Sequence, residues 1–65
     1  MEKLKPEAIR VNLGMTVRDF ANAIGIKQID TYRSRVLGRT EWKAREAVKM
    51  ANLAKVTVEQ LDLFF

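Results

Sequence analysis

No cysteine and no histidine occur in this chain of 65 residues. The first absence removes disulfides as a source of stability and suits a reducing compartment. Together the two absences strip out the usual ligands of structural zinc, leaving only scattered carboxylates. No metal and no cofactor are therefore expected. A glycine-rich phosphate loop is also missing, as is any nucleophile paired with a base. No catalytic residue is expected, and the chain does not read as an enzyme. Proline occurs once and glycine three times, which leaves no linker and no low-complexity tract. No stretch approaches the ~20 apolar residues that span a bilayer, and the opening segment from Met1 to Pro6 has no apolar signal core. The expectation is a cytoplasmic protein with neither a membrane partner nor a small-molecule ligand.

What the chain does have is apolar content, 48% of its residues, enough for one compact core and too much for a disordered tail. One domain spanning residues 1–65 is expected. A domain this short buries only about 60% of its extended surface. With disulfides and metals removed, tight helix packing, a partner subunit, or both must compensate. The net charge is +4, and the sequence pI is about 9.9. From Lys27 to Arg45 six cations stand against two anions, so the middle of the chain carries a surplus equal to the whole net charge. A basic band on a small domain suits phosphate binding; a merely solvated basic face is the competing reading.

Helix signals run throughout. Pro6 suits a first helical turn, and Ala8, Ile9 and Leu13 give that helix an apolar face that Gly14 can end. Thr16 is placed as an N-cap with Asp19 three residues on, opening a helix that carries Val17, Phe20, Ala21 and Ile24 at helical spacing. A third helix follows Ile26 and ends near Gly38, with Ile29, Tyr32 and Val36 as its apolar stripe. Thr40 is placed to cap a fourth, whose inner face holds Trp42, Ala44, Ala47, Val48 and Ala51. Thr57 and Gln60 pattern a short fifth helix holding Val58 and Leu61. The fold class expected is all-α, a compact five-helix bundle. Because Val56, Val58, Leu61 and Leu63 partly alternate, a short C-terminal strand stays open as the alternative.

The informative stretch runs from Thr16 to about Leu37. A short amphipathic helix meets a turn at Gly25 that permits positive φ, and Ile26 plugs the turn from behind. Ala21 is the small residue needed where two short helices approach. This is a helix-turn-helix arrangement, which presents its second helix to the major groove of DNA. Gly14, Met15, Thr16, Asp19, Phe20, Ala21, Ile24, Gly25 and Ile26 fit, position by position, the pattern G-(L/M)-T-x-x-(E/D)-(L/F)-A-x-x-(I/L)-G-(V/I). The segment thereby resembles the helix-turn-helix of the phage repressor and Cro superfamily. The likeness continues through Leu37-Gly38-Arg39-Thr40 and the run from Val56 to Leu61.

The resemblance implies a bundle of the lambda repressor-like type and a DNA-binding transcriptional regulator that reads a palindromic operator. It also implies a homodimer, at least on DNA, working at the nucleoid of a bacterial host. One departure is visible: the apolar stripe and Gly38 fall about one residue late. Either the recognition helix is rotated, or its start is looped out with Asp30 as the N-cap.

With Ile29, Tyr32 and Val36 inward, about 100° per residue turns Lys27, Asp30, Thr31 and Ser34 outward, with Gln28 and Arg35 on the flanks. These six are the candidate base contacts. Glutamine suits adenine, arginine suits guanine, and an aspartate accepts from cytosine. Asp30 has a second possible role, orienting Arg33 or Arg35. The candidate phosphate contacts are Thr16 and Arg18 at the second helix, with Arg39 and Lys43 past the third. Trp42 reads as core rather than as a stacking platform. Leu61, Leu63, Phe64 and Phe65 are too apolar for water on so small a protein; they form a dimer patch or close onto the core. The rival to DNA binding is a protein-interaction module, such as a modulator or antidote protein, on the same scaffold. RNA binding ranks third, since Tyr32 and Trp42 are expected to be buried.

Overall fold

Four α-helices follow one another in the computed structural model, which describes residues 3–63. They are α1 (Pro6–Asn12), α2 (Val17–Ala23), α3 (Ile29–Val36) and α4 (Ala44–Ala54), and a single 3-10 turn at Val58–Gln60 comes after them. The all-α class is observed; the fifth helix is this one turn. No strand forms among the described residues. The expected alternation shrinks to one parallel bridge, in which Leu4 N–H donates to Gln60 O at 2.8 Å and Asp62 N–H to Leu4 O at 2.7 Å.

Local chemistry sets most helix starts. Pro6 occupies the first turn of α1, where a missing N–H costs nothing. Thr16 Oγ1 accepts from Asp19 N–H at 3.1 Å and caps α2. Arg10 pairs with Glu7 and also donates to Met15 O at 2.8 Å, which ties α1 to the entry of α2.

Two expectations fail at α4. Thr40 does not cap it; the helix starts at Ala44, and Glu46 Oε1 accepts from Lys43 N–H at 2.9 Å. Thr40 lies three residues ahead of the N-cap, and its hydroxyl accepts from Arg35 instead. The later start also resets the inner face. Ala47, Met50 and Ala51 are buried, whereas Ala44 is exposed and Val48 is 50% exposed. Ala44 and Val48 are four apart, so they share one edge of α4, turned about 60° and about 100° from Ala47.

The core joins Ile9, Phe20, Ala21, Ile24, Ile26, Tyr32, Ala47, Met50, Ala51 and Leu61. Through it runs an aromatic chain. Phe20 meets Tyr32 edge-on with ring centroids 5.9 Å apart, and Tyr32 meets Trp42 in the same manner at 6.0 Å. The part of Trp42 left exposed is small enough for it to pack as core, as the sequence suggests, although it lies ahead of α4 and not within it.

Leu61 is 3% exposed and belongs to the core, which removes it from the expected dimer patch. The Leu4 bridge draws its backbone inward, so its side chain is spent on the fold. Leu63 packs partly against the same core. Phe64 and Phe65 lie outside the described residues.

Burial also changes the chemistry of Tyr32. Loss of solvent, with the Glu7 carboxylate adding to it, raises the phenol from 10.0 to about 12. The fold thus favours the neutral phenol, a contribution present in full below the ordinary tyrosine value and lost as pH rises from about 10 to about 12. Denaturation midpoints of the wild type should fall across that window relative to those of Tyr32→Phe. Parallel curves for the two proteins would contradict this assignment.

Candidate nucleic-acid interface

Between α2 and α3 the chain turns at Gly25, whose φ is +88°. Ile26 N–H donates to Ala21 O at 2.8 Å, and both side chains are buried, at 4% and 2% exposure. The plug and the small residue therefore sit as the sequence suggests. A Cβ at position 25 would stand 3.0 Å from Lys49 Nζ, the movable end of an exposed side chain, so glycine is required here by its conformation and not by lack of space.

Helix α3 begins at Ile29. Gln28 is its N-cap residue, extended at φ −112° and ψ 130°, and makes no side-chain cap bond. Asp30 therefore lies inside the first turn and not at the cap, so the looped-out start with Asp30 as the N-cap is absent. Lys27 and Gln28 are exposed on this extended lead-in, Asp30 is exposed on the helix, and Thr31 and Ser34 are half-buried.

Arg35 is placed otherwise than expected. It is 8% exposed. Its Nε donates to Glu46 Oε1 at 2.8 Å and its Nη1 to Thr40 Oγ1 at 2.9 Å. A guanidinium clamped in this way cannot reach a base, so Arg35 leaves the set of candidate base contacts. The reason is angular. Arg35 follows Tyr32 by three residues and so shares its inward face, and Glu46 waits there as a buried anion, 5% exposed. The same rotation brings out a cation that the sequence reading passed over. Arg33 is exposed, on an edge with Asp30 and Leu37 at i, i+3 and i+7 spacing. The spacing of Arg35 from Tyr32 was the signal available for finding it.

An open cleft of about 510 Å³ lies where α2 faces the start of α3. Arg18, Asn22, Lys27, Gln28 and Asp30 line it, over an apolar floor that includes Ile26. Three of the candidate base contacts and one candidate phosphate contact thus meet along one surface, joined by Asn22, which the sequence did not single out. Thr31 and Ser34 do not line this cleft. Thr16 is exposed at the head of α2, while Arg39 and Lys43 are exposed beyond α3.

With Arg35 neutralised by Glu46, the positive charge of the middle segment is carried outward by Lys27, Arg33, Arg39, Lys43 and Arg45. Among the described residues no three carboxylates gather as a metal site, and no helix is long and apolar enough to cross a membrane.

A second, smaller groove of about 230 Å³ runs beside α3, lined by Glu7, Val17, Tyr32, Arg33, Val36 and Leu37. Leu37 is 65% exposed there. Compared with protein-family models, with curated proteins and with solved structures, the chain matches none.

Proposed function

We propose that this protein is a sequence-specific double-stranded DNA-binding transcriptional regulator, of the phage Cro and repressor type, that reads a palindromic operator through the major groove. The observation that carries this reading is the meeting of Arg18, Lys27, Gln28 and Asp30 along one open cleft at the start of α3. The start of a helix held by a tight turn is where base edges are reached, and hydrogen-bonding side chains beside a cation suit a base step flanked by phosphate. Arg33 joins the reading set from the exposed edge of α3. Arg18, Arg39 and Lys43, with the hydroxyl of Thr16, grip the backbone. A palindrome calls for a two-fold dimer, in the cytoplasm at the nucleoid.

Selection of bound duplexes from a random DNA pool tests the reading directly; no enrichment at low salt would end it. If about three to five phosphates are neutralised per subunit, about six to ten per dimer, affinity should fall by about three to five orders of magnitude between 50 and 200 mM salt. Gln28→Ala and Arg33→Ala are expected to relax base preference, each by about 1–3 kcal/mol of discrimination. Arg39→Ala should weaken selected and random duplexes alike and flatten the salt slope by about one per subunit. Equal losses on both duplexes for all three variants would place the reading surface elsewhere.

A second reading, a protein-interaction module that binds a partner repressor or toxin, draws on the exposed Leu37 beside Val17 and Val36. A groove of that kind accepts an apolar side chain. Retention of partner binding by Gln28→Ala with its loss in Leu37→Asp would favour this reading over DNA.

A further inference from the structure

We infer that Arg35 and Glu46 are positioning residues: a buried latch that sets the rotation of α3 and so decides which of its faces is offered to a ligand. The inference rests on the DNA-binding reading for what that ligand is.

The latch joins α3 to the start of α4 at one carboxylate oxygen. Glu46 Oε1 accepts from Arg35 Nε at 2.8 Å and from Lys43 N–H at 2.9 Å, so the group that opens α4 also holds α3. The other arm of the arginine, Nη1, donates to Thr40 Oγ1 at 2.9 Å and fixes the connection between those helices. Both charged side chains are at least nine-tenths buried.

A helix of eight residues does not hold itself in water, so α3 takes its orientation from such contacts. Tyr32 supplies an apolar anchor on the same inward face. An apolar contact of that kind tolerates a change of rotation, whereas a guanidinium fork and a carboxylate accept only a narrow range of angles. Arg33 lies about 200° around the helix from Arg35. Holding Arg35 inward therefore holds Arg33 outward, in line with Asp30 and Leu37. If stability were all that mattered, an apolar pair of similar volume would serve as well or better; the ion pair adds direction.

Two variants test the latch, Glu46→Gln and the apolar double Arg35→Met/Glu46→Leu. Each is read by binding to a selected and a random duplex, and by amide hydrogen exchange of the free protein. Selectivity should fall about tenfold in both, with random-duplex affinity and salt slope about unchanged, because the phosphate contacts lie on other residues. Amides of α3 should exchange about tenfold faster while those of α2 keep their protection.

A double variant that folds and keeps wild-type selectivity and α3 protection would overturn the inference. So would failure of the double to fold, since a node that no apolar pair can replace is structural and not directional. Glu46→Gln failing alone leaves the double to decide. If the wild type selects no sequence at all, the DNA reading falls by itself, and the exchange measurement decides the latch without it.

Discussion

Phe20→Ala is expected to leave the chain largely unfolded at room temperature. Phe20 is 0% exposed, and truncating a buried phenylalanine to alanine costs about 3–5 kcal/mol. The core of a domain below about 70–80 residues rarely supplies more than that amount in total. The loss also reaches past the side chain itself. Phe20 is the first ring of the edge-to-face chain through Tyr32 to Trp42, so its removal opens a void against Tyr32 and takes away a ring contact as well. Tyr32 is the apolar anchor of α3, and the candidate reading surface should be lost together with the fold. Far-UV circular dichroism with a thermal melt checks this. A cooperative melt close to that of the wild type would show that the aromatic chain is not the centre of the core.

The second large effect is expected at the ion pair. Glu46→Ala removes the acceptor for Arg35 and for Lys43 N–H at one stroke, leaving a buried guanidinium without its anion. Breaking one side of a buried pair costs about 3–5 kcal/mol, while replacing both sides with apolar groups is often close to neutral. The single variant should therefore be far less stable than the Arg35→Met/Glu46→Leu double. Denaturant unfolding of the wild type, Arg35→Met, Glu46→Leu and the Arg35→Met/Glu46→Leu double closes the cycle. Losses that simply add would mean that the two side chains do not depend on each other.

These two sites differ in how visible they are beforehand. Phe20 is legible from its spacing with Val17, Ala21 and Ile24, because period and hydrophobicity are local properties of the sequence. Arg35 is not legible in the same way. Two arginines stand two residues apart on α3, and either suits an outward cation on composition alone. Spacing from Tyr32 favours Arg35 as the inward one, but the anion that makes burial of its charge possible is Glu46, eleven residues away, which no period of α3 records. The start of α4 repeats the lesson. Thr40 is a good N-cap by residue type, but its hydroxyl is held by Arg35, and the helix opens four residues later.

Near the end of the chain the patterning was ambiguous from the outset, and packing settled it. Leu61 is drawn into the core by its bridge with Leu4, so a residue that reads as a subunit contact becomes part of the fold. Of the candidate site, Lys27, Gln28, Asp30 and Arg18 were named from the sequence and do share a cleft. Asn22 carries no local signal distinct from ordinary surface polarity, and Arg33 is legible as a contact only through the spacing of Arg35 from Tyr32.

The helical class, the positions where the chain turns and most of the apolar core are legible in the residues alone. Those properties follow from interactions within a few residues: glycines able to take φ of +69°, +88° and +80°, a threonine cap, a proline in the first turn. Which cation of α3 is clamped by an anion and how the last residues are used emerge on packing. Each rests on a partner far along the chain, Glu46 for Arg35 and Leu4 for Leu61, that comes within reach only after the helices have come together.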